Sequence, residues 1–412
     1  MSDEKAPDEA ASEQPSPYKI EEINLTETER RCSGSAVPLQ DIYVAYQVET
    51  VIREPKQTLY VVWRRYSDFE CLRLHLQEGY PYVVIPPLPE KKVMYRWQRL
   101  PADRLDPDFV ERRRVGLENF LRRLSNHNGL CAAQAFLLFL MKDASWRDSL
   151  VTAGLLQRAD NALRSFSAYM RLKSPNTEFE EMKSYSSELQ SSISNVLRIR
   201  AKLSDRTYGL HQLHQNYGRV LSEWSRLERG ACGDSFQRAG QFMDKLAQCA
   251  LPWLEEQEPV ADRLKEYLFY TESLNAVCKH HDVLQYELEK KEALSTARET
   301  QKSQTSFEEV GEQVAEGCLF QGSSGLVSRL LSPTSTSASP DQQVQSLHGQ
   351  IHLLSQEKQE FCEKARAEMK QFQEQKDADV REALILYVIT QMKLCNDALS
   401  VWRSLHECFE KM

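Results

Sequence analysis

Three short stretches of this 412-residue chain concentrate cationic side chains. Arg64-Arg65-Tyr66-Ser67-Asp68-Phe69 sets two guanidiniums beside an aromatic ring. Ile85-Pro86-Pro87-Leu88-Pro89-Glu90-Lys91 ends a proline-stiffened loop in a lysine. Arg112-Arg113-Arg114 falls inside a later helical pattern. Residues 18–143 carry 19 Lys plus Arg against 17 Asp plus Glu, a net of +2, whereas the tail before them is −4 and the remainder −6. A local basic cluster on an otherwise acidic chain points to an anionic partner bound at one place.

Those residues need elements to hold them. Ile42–Val51 is rich in β-branched and aromatic side chains, and Leu59–Trp63 repeats the signature after Glu54-Pro55-Lys56. The pair predicts a hairpin, with Lys19–Leu25 as an earlier strand. Helical spacing follows at Phe69, Leu72 and Leu76, and again at Val110, Leu117, Phe120, Leu121 and Leu124. Three strands followed by helices make a small α+β unit. Residues 1–17 hold five acidic residues, three prolines and almost no large apolar side chain, which predicts a disordered tail.

From about residue 150 to 412 the chain reads as all-α. Apolar positions at 155, 156, 159, 162, 163, 166, 169 and 170 trace one stripe, so 155–173 is a candidate amphipathic helix. Long helical patterns then cover 177–229, 234–300 with breaks expected at Pro252 and Pro259, and 343–410. Positions 347, 351, 354, 361, 365, 369 and 372 approximate an a/d seam, with Lys358 filling one slot. Residues 322–340 are 13 of 19 Gly, Ser, Thr or Pro, and 300–342 is expected to be a flexible loop. Three antiparallel helices of this length make a rod on the order of 80–100 Å. So thin a rod cannot bury its own stripe, which predicts a dimer.

The order of the two motifs resembles the phox-homology (PX) domain, and the helical region resembles a BAR domain. Together they resemble sorting nexins of the PX-BAR class: an α+β PX domain over 18–143, then a three-helix antiparallel coiled coil over 150–412. The resemblance implies phosphatidylinositol 3-phosphate as ligand. It places Arg65 at the 3-phosphate, Tyr66 under the inositol ring, Ser67 as an added hydrogen bond, and Lys91 at the 1-phosphate. Arg113 matches the position that reads the free 4- and 5-hydroxyls, with Arg112 and Arg114 one residue away on either side. The apolar Val93, Met94, Tyr95 and Trp97 follow as a membrane-insertion loop. The resemblance also implies a peripheral adaptor on the cytosolic face of early endosomes, which pairs with itself or another PX-BAR nexin. It further implies tubule-based cargo sorting and recycling, and a link to autophagy. In such a protein Arg198, Arg200, Lys202 and Arg206, with Lys364, Arg366, Lys370, Lys376 and Arg381, would meet acidic lipids along a concave face.

Other classes find little support. A net charge of −8 argues against wrapping nucleic acid. The longest apolar run is about ten residues, Ala132–Met141, and the first twenty carry no signal-peptide core, so the chain reads as neither secreted nor membrane-spanning. Ten cysteines without a C-x-x-C pair read as reduced, buried thiols. His211/His214 and His348/His352 lack an obvious third ligand, so neither a metal nor a cofactor is expected. No H-x-K-x-x-x-x-D pair, G-x-S-x-G elbow or kinase glycine loop occurs, which argues against an enzyme. The remaining alternative is a coiled-coil scaffold without a lipid role.

Overall fold

The computed structural model describes residues 18–32, 42–54, 57–91, 105–142, 172–311 and 340–412. The acidic tail, the Val93–Trp97 loop and nearly all of the 155–173 stripe lie outside these.

Strands β1 (Lys19–Cys32), β2 (Ile42–Glu54) and β3 (Thr58–Arg65) form an antiparallel sheet in the order β1-β2-β3. Alternation along β2 buries Tyr46, Val48 and Ile52. Helix α1 (Tyr66–Gly79) follows β3 without a loop and buries Phe69, Leu72 and Leu76, the three expected positions. Helix α2 (Pro107–Asn126) starts with Pro107 inside a cap where Asp106 accepts the Asp108 N–H at 3.1 Å. Helix α3 (Gln134–Met141) closes the unit. Phe69 centres the core, with the rings of Tyr46, Phe120 and Phe139 at 6.5, 6.5 and 5.0 Å.

The rod comprises α4 (Thr177–Trp224), α5 (Ala231–Gln248), α6 (Ala250–Glu256), α7 (Glu258–Gly311) and α8 (Pro340–Glu410). The 71 residues of α8 span about 107 Å. The expected breaks occur, because Pro252 and Pro259 fall in the first turns of α6 and α7, where a missing N–H is tolerated. The breaks do not slip the packing. Gly218 lies against Gly240, His211 Nδ1 donates to the Ala247 carbonyl (2.8 Å), and Arg200 reaches Glu258 (2.6 Å). Residues facing one another across α4 and α5–α7 thus keep one register through both. At the closest approach a Cβ on Gly240 would stand 2.7 Å from the Gly218 carbonyl, so these backbones touch.

Two expectations need correction. Helix α7 runs to Gly311 and α8 begins at Pro340, so the ends of the 300–342 segment are helical and not loop. Lys358, the cation in the seam, donates to Gln285 of α7 within the same chain. Among the described residues Cys278, Cys362 and Cys408 are buried as expected, whereas Cys71, Cys131, Cys232 and Cys249 are half-buried and Cys32 and Cys395 are exposed.

The α+β unit is fastened to the rod by charge. Arg123, 9% exposed, pairs with Glu266 of α7 and with Asp379 of α8 at 2.5 Å. Arg112 meets Glu258 at 2.6 Å and Asp262 at 2.7 Å. Lys265 reaches Glu90 at 3.2 Å, and the His127 ring reaches Glu368 at 3.0 Å. Ser273 donates to the Ile85 carbonyl at 2.6 Å, while Val84 packs into the apolar core of the rod. Burial alone would lift the Asp379 carboxyl, but hydrogen bonds from Tyr267 and Arg123 outweigh it and hold the group below its ordinary value. A depressed folded-state pKa contributes stability above the unfolded value, and that stability is lost as pH falls through the folded value. The seam is therefore expected to loosen below about pH 4. Hydrogen exchange across 262–270 would report the step, and Asp379→Asn should flatten it; an undiminished step in the variant would contradict the assignment.

Candidate functional site

Strand alternation sorts the two adjacent arginines. Arg64 turns inward, 2% exposed, and donates to the Phe139 carbonyl at 2.7 and 3.1 Å and to the Lys142 carbonyl. Arg65 turns the other way. Its backbone N–H donates to Asp68 at 2.9 Å, which caps α1, while its guanidinium stays 38% exposed, 3.7 Å from Asp68 and 5.7 Å from the Tyr43 ring. The backbone does the capping, so the side chain remains available.

Tyr66 opens α1, and its hydroxyl donates to the Pro89 carbonyl at 2.7 Å. That bond ties the end of β3 to the proline loop and brings Lys91 alongside. The Lys91 ammonium lies 5.9 Å from the Tyr66 ring and pairs with Glu70 of α1 at 2.5 Å, itself 63% exposed. Arg113 approaches from α2, 4.8 Å from the Tyr66 ring and 4.3 Å from Phe109. It is 9% exposed, and its Nη2 donates to the carbonyls of Lys91 (3.0 Å) and Glu90 (3.5 Å). Gly116 makes this approach possible, since a Cβ there would stand 2.8 Å from Pro89 Cβ. Burial pushes the Tyr66 phenol well above its ordinary pKa, with Glu70 adding to the shift and Arg113 opposing it, so the ring is a neutral donor. Ser67 sits in the first turn of α1, partly buried.

The structure thus brings Lys91 and Arg113 to the Tyr66 ring, with Arg65 beside it in the chain and facing Tyr43, and it separates Arg113 from its neighbours. Arg112 is spent on Glu258 and Asp262, and Arg114 on Glu111 (2.7 Å), Glu118 (3.1 Å) and the Leu25 carbonyl. The basic cluster read from the sequence is therefore not one anion patch: Arg64, Arg112, Arg114 and Arg123 serve the fold, and far fewer cations face the site. Val93, Met94, Tyr95 and Trp97 lie outside the described residues.

A PX domain family matches residues 52–143, the part of the chain that builds this site. Sorting nexin-4 of Homo sapiens is 40% identical over 398 residues, covering 95% of this chain and 87% of that protein. Sorting nexin-30 of Danio rerio is 31% identical over 275 residues, covering 65% and 61%. The chain belongs to the sorting nexins. This sorting nexin also shares its fold with the SNX-BAR protein Mvp1, whose tetramer is known by cryo-EM: the TM-score is 0.56 at 17% identity, covering 93% of this chain and 99% of that one. Membership supports an adaptor that works at membranes and extends the PX reading into a BAR-type rod.

The rod of this sorting nexin leaves apolar side chains in solvent at heptad spacing. On α4 they are Val196, Ile199, Leu203, Leu210, Leu213, Tyr217, Val220 and Trp224, each 42–64% exposed. On α8, Ile385, Val388, Met392, Leu399, Trp402 and Phe409 repeat the pattern, and the exposed Ile389 lies one turn from both Ile385 and Met392. Within Val344–Glu410 an 18-residue window reaches a mean hydropathy of 1.2, enough to cross a membrane by length and composition alone, with 6% of it buried. Among the rod cations expected to meet acidic lipid, Arg200 is 7% exposed and bound to Glu258, so it does not face a membrane, whereas Arg366 is exposed and paired with Glu178 at 2.9 Å. Among the described residues no three His, Cys, Asp or Glu side chains gather as a metal would require, and His211 is already engaged with the Ala247 carbonyl.

Proposed function

We propose that this sorting nexin is a phosphatidylinositol 3-phosphate-binding membrane adaptor. It pairs through its rod and senses or shapes early endosomal tubules on their cytosolic face, for cargo sorting and recycling, with a link to autophagy. The observation that carries the reading is the pair of cations at the Tyr66 ring, Lys91 and Arg113, with Arg65 next to it at the end of β3. Two of these three, Arg65 and Lys91, are exposed, which suits two phosphates: the 3-phosphate and the 1-phosphodiester of the lipid. The third, Arg113, is buried against the ring and held by carbonyls, which suits hydrogen bonding to uncharged hydroxyls. The open stripes on α4 and α8 suit a second copy or another PX-BAR nexin as partner.

Flotation of the full chain with vesicles carrying each phosphoinositide in turn tests the lipid assignment. Selective recovery with the 3-phosphate lipid is expected. Equal recovery with any acidic vesicle would instead favour a coiled-coil scaffold whose membrane contact is generic. Glu70 supplies a second check, because its carboxylate competes with phosphate for Lys91. An exposed ion pair of this kind is weak, so Glu70→Gln should tighten binding by about two- to fivefold. Weaker binding in the variant would show that Glu70 places Lys91 and does not compete for it.

A further inference from the structure

We propose that the rod completes the headgroup site, with Lys265 of α7 acting as a positioning residue for Lys91 and Arg113. The proposal rests on the phosphoinositide reading above. Arg113 is held by the carbonyls of Glu90 and Lys91, so the backbone at Glu90 sets where both headgroup cations stand. The carboxylate of Glu90 is held in turn by Lys265, which lies 175 residues further along the chain. Lys265 is 3% exposed, and its ammonium is 3.2 Å from Glu90 and 3.4 Å from Asp262.

The second cation-bearing segment is tied to the same stretch of rod. Arg112, next to Arg113, donates to Asp262 at 2.7 and 3.1 Å and meets Glu258 at 2.6 Å. Two turns of α7, from Glu258 to Lys265, therefore anchor both walls of the site at once. A cavity of about 500 Å³ opens between the proline loop, α2 and α7, lined by Pro89, Phe109, Arg113, Pro259, Lys265 and Phe269 among others. Across that gap Lys265 reaches Glu90 as an ion pair at 3.2 Å. An anchor of this kind couples in both directions: what holds the site for its ligand is itself held more firmly once the ligand is bound.

The test uses the full chain and a water-soluble dibutanoyl phosphatidylinositol 3-phosphate, so that no membrane and no avidity contribute. Calorimetric titration should show Lys265→Met binding about five- to tenfold more weakly than the native chain, the low end of couplings between sites. Lys265→Arg, which keeps the charge, should recover affinity to within about twofold. Glu90→Gln should lose a similar amount, and the double variant no more than either single one, because both remove the same contact. Saturating ligand should slow hydrogen exchange across 258–269 in the native chain and leave it unchanged in Lys265→Met. Native affinity in Lys265→Met, additive losses in the double variant, or exchange at 258–269 that ignores the ligand would each overturn the proposal. If the native chain fails to bind the soluble lipid at all, the headgroup reading falls first and this inference with it.

Discussion

Replacing Arg65 with alanine is expected to weaken capture by phosphatidylinositol 3-phosphate vesicles by about 10- to 150-fold, the range for losing hydrogen bonds to a charged group. The fold should survive the change. The guanidinium of Arg65 stands 3.7 Å from Asp68, a loose contact, and the cap of α1 uses its backbone N–H, which alanine retains. Its neighbour provides the contrast. Arg64→Ala removes the donor that satisfies the Phe139 and Lys142 carbonyls, so it should lower the melting temperature while the remaining folded protein still binds lipid. Vesicle flotation alongside thermal unfolding separates the two. Unaltered lipid capture by Arg65→Ala would remove the assignment of this site.

The second large effect concerns assembly. Leu213→Asp combined with Ile389→Asp should reduce the particle to a single chain of 47.6 kDa at micromolar concentration, as read by sedimentation equilibrium. Both side chains are exposed in the single chain, at 64% and 56%, so the substitutions should leave its helicity and melting behaviour almost unchanged. In an assembled pair each would place a carboxylate in an apolar seam. At about 3 kcal/mol per site the dissociation constant rises on the order of 10⁴-fold for the two together. A pair that persists at micromolar concentration would place the interface elsewhere on the rod.

Much of this was legible in the sequence, and the limits have physical causes. The strands and α1 follow from short-range periodicity, and Pro252 and Pro259 mark the breaks because proline acts on its own turn. Period-two alternation distinguishes Arg64 from Arg65 once β3 is placed. No local pattern distinguishes Arg112, Arg113 and Arg114 in the same way, because α2 is flanked by acceptors on several sides. The fastening between the two domains was invisible altogether. Arg123 and Asp379 are 256 residues apart, and a charged residue on a helix looks solvated until its partner is known. Of the basic residues read as one anion patch, Arg112 meets carboxylates of the rod, while Arg64 and Arg114 are held by carbonyls and carboxylates of their own domain.

That fastening has a consequence for geometry. A PX domain carried on a slack tether would let each headgroup site search independently, and any membrane within reach would do. Here ion pairs and Val84 fix the domain against α7 and α8. In a symmetric pair the two lipid sites would then stand at one separation and one tilt, like the jaws of a set calliper. Effective concentration rewards a second contact only where the surface meets both jaws together. The shape of the bilayer, as much as its lipid content, would then decide how long the pair stays.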